Sequence, residues 1–135
     1  MTDTPLLLVD TSAWIAGFRP GASGGWVAEL RLLLQERQVA VNPLIRLELL
    51  SGARTDREYR ELADTLSALT ELELTPAVWE ESSRLGFLLR RRGLTIPTTD
   101  IVIASSAVVH RCTLRHQDRH FSLIAKHSAL RERSP

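Results

Sequence analysis

A single cysteine, Cys112, stands among 135 residues, so an internal disulfide, a thiolate zinc cage and an iron–sulfur cluster are all closed to this chain. That cysteine usage suits a reducing compartment. Lysine is nearly missing as well: sixteen of the seventeen basic residues are Arg, and Lys126 is the exception. No stretch approaches the roughly 18 apolar residues a membrane span requires. The first residues, MTDTPLLLVDT, carry no basic region, and their apolar run stops after Leu6–Val9. They read as neither a leader peptide nor an anchor, which leads us to expect a cytoplasmic protein with no membrane partner. No Gly-Lys-Ser/Thr follows the glycines at 21, 24 and 25, so that stretch is a connection and not a phosphate loop.

What is present fits one domain, residues 1–135. Single domains cluster at roughly 100–150 residues, and 44% apolar with 24% charged content excludes wholesale disorder. The net charge of +1 hides an asymmetry. Residues 110–135 hold six Lys/Arg against Asp118 and Glu132, together with all four histidines, whereas the preceding chain is slightly acidic. A basic C-terminal stretch suits contact with nucleic acid.

Leu6–Val9, between Pro5 and a polar turn, has the continuous apolar character of a strand buried on both faces, as in parallel sheets. Val39–Val41 has the same character, Leu72–Leu74 and Thr113–Leu114 have it more weakly, and Ala129–Arg131 is the only candidate for a fifth strand. Helical spacing or capping marks Ser12–Phe18, Trp26–Leu34, Leu44–Leu50 behind Pro43, Thr55–Leu69, Pro76–Gly93, Ile101–Val109 and His120–Lys126. Strands alternating with helices predict an α/β layer fold with a mainly parallel sheet.

Four acids stand out. In open α/β sheets the site lies outside the carboxyl ends of the strands. Asp10 and Asp118 follow the first and fourth strands, Asp100 starts a helix, and Glu48 shares a helix face with Leu44 and Ile45. Each Asp is also a good helix N-cap. If the four converge, their mutual repulsion either raises some pKa values or calls for a divalent cation. Oxygen-only ligation suits Mg²⁺ or Mn²⁺.

The segments carrying these acids resemble, in order, the motifs of PIN-domain nucleases. They are Leu8-Val9-Asp10-Thr11-Ser12-Ala13, Leu47-Glu48-Leu49-Leu50-Ser51-Gly52, Thr99-Asp100-Ile101-Val102-Ile103-Ala104 and Leu114-Arg115-His116-Gln117-Asp118-Arg119-His120-Phe121. Order, spacing and length are similar to those of VapC-type toxins of bacterial toxin–antitoxin pairs, over essentially the whole chain. The resemblance implies a PIN-like three-layer fold, with a central four- or five-stranded sheet flanked by helices. It also implies an Mg²⁺- or Mn²⁺-dependent endoribonuclease, a cognate VapB-type antitoxin, an RNA substrate and a homodimer, with the helix of Trp14 helping to form the antitoxin groove and contributing to the homodimer contacts. Asp10, Glu48, Asp100 and Asp118 would form the acidic pocket. Asp10, Asp100 and Asp118 would hold the metal, with Glu48 acting directly or through water. Ser12 or Thr11 would hydrogen-bond a carboxylate or a metal-bound water.

One position departs from the pattern: His120 stands where the family often has a second Asp. Arg115, His116, Arg119 and His120 are candidate RNA-phosphate contacts, and neither histidine is expected to ligate metal. The rival to the enzyme is a PIN-like binding module that associates with an antitoxin or RNA without cleaving it. A haloacid-dehalogenase-type phosphatase is disfavoured because Ser12 occupies the place of its second Asp. A receiver domain is disfavoured because Lys126 falls in a helix.

Overall fold

The computed structural model describes residues 6–134. Pro5, expected to bound the first strand, lies outside the described residues. The order is β1 (Leu7–Val9), α1 (Thr11–Phe18), α2 (Gly25–Gln35), β2 (Val39–Val41), α3 (Pro43–Ser51), α4 (Asp56–Ser67), β3 (Thr70–Glu71), α5 (Pro76–Arg91), α6 (Thr98–Val109), β4 (Thr113–Arg115), α7 (Arg119–Ala125) and β5 (Glu132–Arg133). The strands lie in the order β3-β2-β1-β4-β5, all parallel, and the helices flank the sheet. This is the α/β class the sequence pattern implies, in its five-stranded form. Among the described residues no helix is long and apolar enough to cross a membrane.

Local chemistry explains most boundaries. Asn42 caps α3 by accepting from the Ile45 N–H, and Pro43 follows at a position where a missing N–H costs nothing. Thr55 and Thr75 cap α4 and α5 in the same way. The inner strands are short, β1 and β2 wholly apolar and β4 apolar only at its centre: Leu8, Val9, Ala40, Val41 and Leu114 are sealed from solvent. In α6 the six residues Val102–Ala107 are all buried, and four of them are Ala or Ser. Small side chains let this helix press against α5, α7, α3 and β4 at once.

Both outer strands differ from expectation. β3 is Thr70–Glu71 instead of Leu72–Leu74, and β5 is Glu132–Arg133 instead of Ala129–Arg131. An edge strand of two residues is held by backbone pairing alone and can be polar. Leu72 and Leu130, which attract attention as apolar residues, plug the core beside the ladders.

The topology locates a crevice. From β1 the chain steps to β2 and then β3 on one side, and α5–α6 carry it back to β4 on the other. The order reverses between β1 and β4, where parallel α/β sheets open at their carboxyl ends.

Candidate active site

Asp10 leaves β1 at that reversal. Its own N–H donates to the Arg115 carbonyl of β4 at 2.9 Å, and its carboxylate caps α1 by accepting from the Ser12 N–H at 3.0 Å. The Ser12 hydroxyl donates to the same Asp10 Oδ2 at 2.5 Å and accepts from the Gln117 N–H at 3.0 Å. One hydroxyl therefore ties the Asp10 carboxylate to the loop that leads to Asp118. Burial is the largest influence on Asp10 and pushes its pKa up; the bonds from Ser12 pull it back, and the Asp118 charge adds to the rise.

Asp118 ends the β4 loop and caps α7, accepting from the His120 N–H at 2.9 Å. Asp100 arrives from the opposite direction, on the first turn of α6. Pro97 holds that helix's cap position, so Asp100 has no capping duty, unlike Asp10 and Asp118. The His120 ring lies between the two: Nδ1 is 3.0 Å from Asp100 Oδ2 and 3.3 Å from Asp118 Oδ1. One donor atom from each of Asp100, Asp118 and His120 falls within 4.8 Å of the others. The Asp100 pKa is pushed up to about 6. Burial is the main cause, the charges of Asp118 and Asp10 add to it, and the His120 hydrogen bond opposes it. Two carboxylates and an imidazole, with a third carboxylate near enough to be felt, form a donor set that fits a divalent cation.

Glu48 approaches through another partner: the Thr11 hydroxyl donates to its Oε1 at 2.8 Å. Glu48 is outside the tight group, and so is Asp10. The sequence expectation was four mutually close acids; the described residues bring two acids and a histidine together, with Asp10 beside them and Glu48 held at the start of α1.

The basic candidates separate sharply. Arg115 is 4% exposed, with its guanidinium 4.2 Å from the Trp26 ring centroid and donating to the His116 carbonyl at 2.8 Å. Burial lowers its pKa. Its head is enclosed, which corrects its expected role as a phosphate contact. His116 is corrected for the same reason, being fully buried against Phe121. Its Nδ1 accepts from the Asp118 N–H at 3.2 Å and its Nε2 lies 2.7 Å from Glu132 Oε2. A backbone N–H can only donate, so the ring proton sits on Nε2 and points at Glu132. His116 therefore positions Asp118, and Glu132, which the sequence reading missed, steadies His116. No local pattern marks Glu132, because its role depends on pairing between β4 and β5. Arg119 is exposed. It borders a cavity of about 460 Å³ between the Leu94–Ile96 loop and α7, which also includes His120 and Lys126.

A parallel sheet with acids drawn together where its strand order reverses defines a class of α/β domains with an acidic site at the carboxyl ends of the strands. Comparison with known proteins gives the class its name. The PIN domain family model matches residues 7–127. VapC ribonuclease Mb1587 of Mycobacterium bovis is 32% identical over 124 residues, covering 90% of this chain and 92% of that protein. Ribonuclease VapC18 of Mycobacterium tuberculosis is 26% identical over 121 residues, covering 87% and 85%. The VapBC2 structure from Rickettsia felis, bound to a DNA fragment from its promoter, shares the fold with a TM-score of 0.76 at 20% identity, covering 96% of this chain and 98% of that one. This chain belongs to the PIN domain family, in its VapC branch.

Proposed function

We propose that this protein is a metal-dependent endoribonuclease acting in the cytoplasm as the toxin of a type II toxin–antitoxin pair. The observation that carries the reading is the convergence of Asp100, Asp118 and His120 within 4.8 Å, in a site where burial first, and then the charges of Asp118 and Asp10, push the Asp100 pKa up to about 6. Its relatives are named VapC ribonucleases, which supports RNA as the substrate.

Asp100 and Asp118 would hold the ion with Asp10 beside them, and Glu48 would act directly or through water. A bound Mg²⁺ or Mn²⁺ would neutralise charge on a phosphodiester and make water a competent nucleophile near neutral pH. The chain's own groups do the positioning. Ser12 fixes the rotamer of Asp10, Thr11 fixes Glu48, and His116 fixes the backbone that presents Asp118. Arg119 and Lys126, exposed at the neighbouring cavity, are suited to hold RNA phosphates that the acids repel.

Partner surfaces are also on offer. Ile15, Phe18, Leu32, Leu47 and Tyr59 are exposed apolar side chains on α1 to α4, and they suit an antitoxin of VapB type. Trp79 and Phe87 are exposed on α5 and suit a second copy of the chain, giving a homodimer.

The test is cleavage of RNA by the purified chain with Mg²⁺, Mn²⁺ or EDTA. Asp10→Asn and Asp100→Asn are expected to abolish metal-dependent cleavage with circular dichroism unchanged. Wild-type rates in either variant would remove that residue from the mechanism. RNA or antitoxin binding without cleavage under every metal condition would establish the binding module instead.

A further inference from the structure

Where the family motif often has a second Asp, this chain has His120, and its ring faces the acids instead of solvent. Resting on the metal site of the proposed function, we propose that His120 ligates the ion through Nδ1. The resulting set of Asp100, Asp118 and His120 would prefer Mn²⁺, or a later first-row ion, over Mg²⁺.

Three observations support this. Donors in adjacent positions around an octahedral ion at about 2.1 Å lie about 3.0 Å apart. The Nδ1 separations of 3.0 Å and 3.3 Å from Asp100 and Asp118 match such edges. The residue is also anchored: the His120 backbone N–H is bonded to Asp118 Oδ1, which holds the His120 Cα and Cβ beside the carboxylate and leaves only the side-chain torsions to place Nδ1. Finally, the side chain is 29% exposed and borders the cavity, so Nε2 can carry the ring proton while the Nδ1 lone pair faces the ion. His116 offers no such donor, because both of its nitrogens are engaged in a sealed pocket. Imidazole suits Mn²⁺ only moderately and the later ions well, whereas Mg²⁺ favours oxygen and sheds water reluctantly. Exchanging a carboxylate for an imidazole should therefore shift selectivity.

The experiment uses Mn²⁺ and Mg²⁺ alone as probes, without RNA, at a pH of about 8, where free imidazole is neutral. Pulsed electron paramagnetic resonance of Mn²⁺ bound to the wild-type chain is expected to show coupling to a histidine nitrogen, which changes when the histidines are isotopically labelled. Calorimetric titration is expected to give a Mn²⁺-over-Mg²⁺ preference that falls at least about tenfold in His120→Asp. Bound Mn²⁺ with no nitrogen coupling in the wild type would overturn the inference and leave the nuclease reading standing. An unchanged ion preference in a folded His120→Asp would overturn it equally. Failure of both chains to bind either ion would overturn the metal reading itself. Should His120→Asp fail to fold, the labelled wild-type spectrum decides alone.

Discussion

Replacing Asp100 with Asn should make the metal-free protein more stable near neutral pH, while ending its activity. In the folded chain the Asp100 pKa stands at about 6 against 3.8 for an unperturbed carboxyl. Between those values the folded state binds more protons than the unfolded one, so stability falls as pH rises. The contribution is whole below about pH 3.8 and is lost once pH passes about 6. At about 1.4 kcal/mol per pKa unit, the full gap is worth about 3 kcal/mol. Asp100 sits at a partly open crevice, and solvent screening reduces that to about 1–2 kcal/mol. Asn keeps the shape and still accepts from His120 Nδ1, but it carries no charge to repel Asp118 and Asp10. Urea denaturation in EDTA, repeated from about pH 4 to about pH 8 for both chains, isolates Asp100 by difference. The variant should gain about 1–2 kcal/mol above pH 6 and nothing at the acid end, a rise in Tm of several degrees. Saturating Mn²⁺ should reverse the order, because the ion stabilises only the chain that binds it tightly. A variant less stable than wild type in EDTA at neutral pH, or a difference independent of pH, would refute the electrostatic account of this site.

Ser12→Ala removes the hydroxyl shared by Asp10 and the Gln117 N–H. It should cost about 1–3 kcal/mol in stability and about ten- to a hundredfold in cleavage, with Ser12→Thr recovering much of both. Arg119→Ala and Lys126→Ala should raise KM for RNA with little change in kcat. Each should also flatten the salt dependence of RNA binding to a non-cleaving Asp10→Asn background, by about 0.7 in log–log slope per lost phosphate contact. Arg115→Ala should act differently, destabilising the fold by about 1–3 kcal/mol through loss of the Trp26 stack and the bond to the His116 carbonyl. In that same binding background its salt slope should match the parent's, and a flattened slope would return Arg115 to the phosphate contacts.

The features legible in the sequence are those written in neighbouring residues. Short apolar runs marked β1 and β2, Pro43, Thr55 and Pro76 opened helices, and Asp10 and Asp118 were recognisable as caps at strand ends. An N-cap reaches only two or three residues along its own chain, so sequence alone determines it. The edge strands β3 and β5 were expected at neighbouring residues instead of their own, because backbone pairing needs no apolar side chains there and Leu72 and Leu130 drew attention away.

The sequence, then, determined which acids this protein has and that Asp10 and Asp118 stand where a strand hands over to a helix. Only the tertiary structure decided their company. The contact between Asp100 and His120 exists because α6 and α7 pack together across a twenty-residue separation. The same three-dimensional packing puts Trp26 beside Arg115 and Glu132 beside His116, enclosing two side chains that in sequence look as free as Arg119. Burial and proximity are properties of what other segments supply, and no residue carries that in its own neighbourhood.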